Sequence, residues 1–313
     1  MLIAQTAGFA WGGGSAPMAG NNWTARTSAG SRSWRGVACS SDGQRIAACV
    51  YNGSYIYTST DGGATWTACT DAGSRDWYGV ACSSDGQRIA AAVSGGYIYT
   101  SANGGSTWTE RTSAGSRNWL AIAGSADGQR IAAACSFTNI YTSTDGGATW
   151  TERTSAGSRN WQAIACSADG QSIAAAVYVD SIYTSADGGA TWTERTSAGS
   201  RNWQAIACSS DGLRIAAAVY GGNIYTSADG GATWTERTGA GSRSWFSIAC
   251  SADGQRIAAA GLSTNIYTST DGGATWTERT GAGSRYWYGV AGSADMSLIA
   301  AGANGNYIYT SEG

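Results

Sequence analysis

Two tryptophan registers limit what this chain can fold into more than any other feature. Trp66, Trp108, Trp150, Trp192, Trp234 and Trp276 stand 42 residues apart, and Trp34, Trp77, Trp119, Trp161, Trp203, Trp245 and Trp287 mark the same unit with one residue inserted in the first interval. A period held this strictly over 313 residues predicts a repeat architecture, in which each unit buries its apolar face against the next.

The cleanest copy, residues 161–202, divides at turn signals into four strand-length runs: 161–167, 172–178, 181–185 and 191–196. The runs are rich in Ile, Val, Thr, Tyr and Trp and are joined by short turns such as Asp169-Gly170 and Asp187-Gly188-Gly189, the pattern of an antiparallel meander. Beyond the Trp that opens each copy, the first two runs carry Ala, Cys, Ser and Ile, whereas the last two carry Tyr and Trp. Small side chains suit the centre of a radial array, where sheets crowd together. Bulky rings fill the widening wedge outside, each removing ~150–250 Å² from water, about 4–6 kcal/mol as an upper bound.

The two ends agree with a ring. Residues 22–27 form a lone fourth run and residues 307–311 a third without a fourth, so together they complete one unit and leave no free sheet edge. The fold expected is all-β: a seven-bladed β-propeller of four-stranded antiparallel blades, closed by the N-terminal outer strand and the C-terminal three strands. Residues 21–313 form that single domain, and residues 1–20, with Trp11-Gly12-Gly13-Gly14 and the only proline, Pro17, are expected to be a flexible tail.

Composition removes several chemistries. There is no His, and all 19 basic residues are Arg, so imidazole acid–base catalysis, a Ser-His triad, a Schiff base and a phosphate-binding lysine are excluded. Charged residues make up 13% and the net charge is -2, which argues against nucleic acid or an anionic membrane as partner. No apolar run reaches the ~20 residues of a membrane helix, no basic leader opens the chain, and the compartment stays open. Five of the eight cysteines (Cys39, Cys82, Cys166, Cys208 and Cys250) occupy one repeat position, ~10 Å apart if the sheets pack side by side, so free thiols are expected.

The pattern Ser-x-Asp-x-Gly-x-Thr-Trp is complete at residues 59–66, 143–150, 185–192, 227–234 and 269–276, and has Asn103 for Asp at 101–108. It resembles the Asp-box (BNR) repeat of sialidase-like propellers. Physically the box is a turn: Asp accepts backbone N–H groups, Gly takes a positive φ, and Trp packs against the neighbouring sheet. One carboxylate per turn is too few for a calcium cage, so no metal and no cofactor are expected.

The resemblance implies three activities: sialidase-like glycosidase, photosystem-assembly-type protein binding, and lectin-like recognition. The Arg-Ile-Pro motif of sialidases is absent, and Glu110, Glu152, Glu194, Glu236 and Glu278 read as solvated edge charges, so no enzyme is expected.

Differences between copies concentrate on one face. After the unit's Trp come Arg35, Tyr78, Leu120, Gln162, Gln204, Phe246 and Tyr288, and the second-to-third turns differ as well. The same face carries Arg32, Arg75, Arg117, Arg159, Arg201, Arg243 and Arg285, one per unit in a Gly-Ser-Arg sequence. These could form a ring of guanidinium groups for carboxylate, sulfate or phosphate. The ligand-binding candidates are therefore the seven loop arginines with Arg35, Tyr78, Gln162, Gln204 and Tyr288. They point to a monomeric, non-enzymatic binding or scaffold module, multivalent and lectin-like, for a glycan, an anionic small molecule or a protein partner. A propeller without a ligand, amplified or designed for folding alone, fits the same sequence.

Overall fold

The computed structural model describes residues Pro17–Gly313. It is all-β and built of antiparallel strands, consistent with a β-propeller. In one unit Arg32–Cys39 pairs with Ile46–Val50, which pairs with Ile56–Ser59, which pairs with Thr67–Cys69. The other units repeat this meander. Small side chains hold the inner strands together: Ala47, Ala48, Ala91, Ala133 and Ala175 are buried, as are the seven tryptophans that open the first strands.

Each opening tryptophan meets a strand-three tyrosine edge-on, and all but Trp245 also make a tilted contact with a second tryptophan. Trp161 meets Tyr183 edge-on at 5.3 Å and lies tilted against Trp192 at 6.1 Å. A strand-three tyrosine and the box tryptophan thus fill the outer wedge, as side-chain size predicts.

Two backbone circuits join the units. On the Asp-box side, the residue before each first-to-second turn aspartate, Asp-Gly in six units and Asp295-Met296 in the seventh, donates its N–H to its counterpart in the next unit, from Ser41 to Ser84, Ala126, Ala168, Ser210, Ala252, Ala294 and back to Ser41, at 2.7–2.9 Å. On the opposite side, the second strand or its turn pairs with the start of the next unit's first strand, as in Tyr178 with Asn202 and Ser54 with Arg75. Near the C terminus Leu298–Asn306 pairs in the same way with Arg32–Cys39.

The termini complete one unit together. Asn22–Arg26 pairs with Ile308–Glu312, and Trp23 lies 6.4 Å from Trp287, where a box tryptophan stands in other units. The missing box is assembled across the chain ends: the Gly20 N–H donates to Ser311 Oγ at 2.8 Å and the Trp23 indole to Gly20 O at 3.0 Å. These reproduce the bonds of Gly63 to Ser59 Oγ at 2.9 Å and of Trp66 to Gly63 O at 2.8 Å. Residues 1–16 of the expected tail lie outside the described residues. Met18 and Ala19 are buried, and the Ala19 N–H donates to Met296 O at 3.0 Å, so the packed chain reaches back past the boundary expected at residue 21.

Candidate functional site

The Asp box works as a clamp. In residues 59–66, Asp61 accepts from Ser59 Oγ at 2.8 Å, from the Thr65 N–H at 2.8 Å and from Thr65 Oγ1 at 2.6 Å. The threonine hydroxyl is the main reason that Asp61 titrates low, at about 2. Asn103 keeps the turn with one bond reversed, its amide donating to Thr107 Oγ1 at 2.9 Å. The second box glycine has φ 89° at Gly63, and a Cβ there would stand 3.0 Å from Thr310 of the adjoining unit, so both backbone angle and close approach require glycine. Among the described residues no group of three or more His, Cys, Asp or Glu is placed to hold a metal ion, and no helix is long and apolar enough to cross a membrane. All eight cysteines are free thiols.

The seven loop arginines share one environment. A short 3-10 turn, such as Thr112–Ala114, ends each fourth strand and leaves its last carbonyl open. Arg117 Nε donates to that carbonyl, Ala114 O, at 2.8 Å, and its guanidinium lies 4.5 Å from the centre of the Tyr141 ring. Arg32, Arg75, Arg159, Arg201, Arg243 and Arg285 repeat both contacts on their own Ala and Tyr. Each is thus held within its own unit by one Nε bond and one ring face. Arg159 also pairs with Asp180 at 2.9 Å.

Among the tyrosines beneath them, Tyr99, Tyr141, Tyr183, Tyr225 and Tyr267 titrate high. Burial, seconded by the carboxylate of the outermost strand, pushes Tyr99, Tyr141 and Tyr225 to about 12. Those carboxylates, expected to be solvated edge charges, are exposed and in addition hydrogen-bonded. Asn139, Asn223 and Asn265 donate to Glu152, Glu236 and Glu278, each at 2.8 Å, and Ser181 donates to Glu194 at 2.9 Å. The asparagine bond is the main reason that Glu152, Glu236 and Glu278 titrate below the usual carboxylate range.

The residues after the opening tryptophans do converge. In each unit the strand register slips at this position: Trp34 faces Val50 and Gly36 faces Cys49, which leaves Arg35 in a bulge. A bulge re-aims the side chain it carries. Arg35 meets Tyr78 of the next unit at 4.3 Å, Tyr288 of the preceding one at 5.0 Å and Phe246, two units away, at 5.1 Å. Side chains of non-adjacent units can meet only near the axis. Phe246 and Tyr288 are 4.7 Å apart, Tyr51 stands edge-on to Tyr78 at 5.4 Å, and Leu120, Gln162 and Gln204 are buried at the same position in the remaining units.

Arg35 is the unusual member. Only 4% of it is exposed, and among the described residues its Nε and Nη2 have no hydrogen-bond acceptor. Burial lowers its pKa, opposed by the surrounding tyrosines. Three aromatic faces offset part of the cost of a buried cation, but they leave its in-plane donors unmet. The sequence marks Arg35 as a candidate without revealing that it is buried or that it sits at the centre.

The same face carries most of the exposed apolar surface. Among the described residues seven large hydrophobics are exposed, and six of them (Tyr51, Phe137, Tyr178, Val179, Tyr220 and Tyr286) lie in its turns and loop ends. The seventh, Leu213, lies on the Asp-box side.

A family model described as BNR/Asp-box repeat matches residues 57–68, 141–152 and 267–278. No curated protein matches the chain. Two solved structures are similar over nearly the whole length. YCF48 from Cyanidioschyzon merolae has a TM-score of 0.71 at 16% identity, covering 93% of this chain and 98% of its own. YCF48 bound to D1 peptide has a TM-score of 0.71 at 15% identity, covering 98% of each chain. The chain thus carries BNR/Asp-box repeats on a fold similar to the YCF48 β-propeller.

Proposed function

We propose that this chain is a seven-bladed propeller that binds a segment of a protein partner on its variable face, without turning it over, and that a carboxylate of that segment sits on Arg35. The observation that carries the reading is the buried guanidinium with unmet donors at the centre of a face rimmed by exposed Tyr, Phe and Val side chains. A peptide offers what such a surface wants: apolar side chains for the rim and a carboxylate for the centre. A neighbour of the same fold is bound to a peptide, which supports this class of partner over a glycan. The loop arginines on which a glycan or multivalent anion site would depend are each held by a carbonyl and a tyrosine face.

The test is fluorescence anisotropy with a labelled D1 peptide and a randomised peptide pool, each with a free or an amidated C terminus. Tyr178→Ser with Tyr220→Ser, and separately Arg35→Leu, are expected to weaken binding ~10-fold or more. No peptide binding at millimolar concentration, or binding indifferent to Arg35→Leu, would overturn the reading.

A further inference from the structure

On the Asp-box side, neighbouring units are bridged by an arginine that opens one second strand and a glutamine in the next unit's Asp-Gly turn. With its amide oxygen turned to the guanidinium, Gln129 accepts from Arg88 at 2.9 and 3.3 Å, and Gln255 from Arg214 at 3.0 and 3.1 Å. Such pairs roof the first box glycine: an arginine and a glutamine stand 3.3–3.9 Å from where a Cβ would be at Gly104, Gly146, Gly188 and Gly272.

At one junction both partners are replaced. Ser172 stands for the arginine and Leu213 for the glutamine, and nothing among the described residues lies within 4 Å of the Cβ position of Gly230. A cleft of ≈ 300 Å³ opens there, against ≈ 10–120 Å³ at the four arginine-bridged junctions.

The opened cleft has the makings of a ligand site. Ile173 and Ile215 line it, and Leu213 is 52% exposed at its edge. Arg195 also lines it, with Nε bonded to Thr184 Oγ1 at 2.7 Å and no other protein acceptor for its guanidinium among the described residues. The Asp229 carboxylate at the cleft is already taken by Thr233, at 2.8 and 2.6 Å. An isoleucine and leucine patch set among hydroxyl-bearing walls of Thr184, Thr191 and Thr193, with one available guanidinium in a space of this size, suits a small organic acid.

We infer that the junction of Ser172 and Leu213 is a binding site for a small carboxylate with an apolar body, an aryl or branched aliphatic acid, held by Arg195. The site is separate from the variable face and independent of the peptide reading.

The test is ligand-observed NMR with phenylacetate, benzyl alcohol and benzylamine on the wild type and on the double variant Ser172→Arg with Leu213→Gln. That variant restores the bridge used at other junctions and therefore keeps the fold. Phenylacetate is expected to bind the wild type best and to lose ~10-fold or more in affinity in the variant, with circular dichroism unchanged. A milder variant, Arg195→Gln, should remove the preference for phenylacetate over benzyl alcohol. Equal binding to the wild type and the refilled variant, no binding of phenylacetate to the wild type, or a preference for benzylamine would each overturn the proposal.

Discussion

Replacing Arg35 with leucine should make this protein more stable and less able to bind. Arg35 is 4% exposed, and among the described residues two of its nitrogens have no acceptor and no carboxylate pairs with it. Exchanging buried charged groups for apolar residues of similar size commonly stabilises by about 1–4 kcal/mol. Against this stands the loss of ring contacts with Tyr78, Tyr288 and Phe246, ~0.5–2 kcal/mol for a cation over aromatic faces. Leucine already fills the equivalent position at Leu120, 4% exposed, so the site accepts it without strain. The net expectation is a gain of about 1–3 kcal/mol, read as a higher urea midpoint with unchanged slope.

Added acetate supplies a second readout. A ligand that binds only the folded state raises stability with concentration, so acetate should shift the wild-type midpoint upward and leave that of Arg35→Leu unmoved at matched ionic strength. A loss of more than about 1 kcal/mol in Arg35→Leu would refute the reasoning, since it would make the stacked cation a net structural asset.

Acid should loosen the boxes. Asp61, Asp145, Asp187 and Asp229 titrate at about 2 in the folded chain, against about 3.9 for an unfolded aspartate, so their stabilisation is full above pH ~4 and is lost as pH falls towards 2. These groups face solvent, and screening reduces the effect to about 1 kcal/mol or less per box. Urea midpoints at pH 4.5 and 2.5 should converge when the four become asparagine. Trp161→Ala, which empties a fully buried ring site, should cost ~3–5 kcal/mol in the same assay, and Trp192→Ala, at a half-buried site, clearly less. Removing residues 1–20 should lower stability by ~1–3 kcal/mol through loss of the Gly20–Ser311 and Ala19–Met296 bonds and of Met18 burial, whereas removing residues 1–16 should leave those contacts intact.

The strands and their turns were legible because period, side-chain size and turn residues agree in every unit. The split box was not. Gly20 lies in a stretch with several glycines and is identified by its bonds to Trp23 and to Ser311, the latter 291 residues away. The loop arginines could be located but not assigned, because the carbonyl each one caps exists only after the 3-10 turn has formed. Arg35 was selected for its variability, and its inward direction depends on a register slip that no residue type announces. The circuit joining Ser41 to Ala294 is purely backbone and leaves no trace in side chains.

A ring of near-identical units makes departures informative through their physical consequences. The units face one packing problem and answer it with the same residues, so a substitution that packs equally well, such as Asn103 for Asp in a box, keeps the turn and needs no function to account for it. Arg35 and the Ser172–Leu213 pair are of another kind. The first buries donors without acceptors, and the second leaves open a cleft that arginine and glutamine fill at other junctions. Neither improves folding, and leucine at 35 or the bridging pair at 172 and 213 would be the better choice for stability alone. The two departures also lie on opposite faces, one at the axis and one between units, so no single ligand could account for both. A propeller that binds nothing would tolerate both departures but would show no acetate shift at Arg35 and no phenylacetate binding at Ser172 and Leu213, so the two measurements separate the readings.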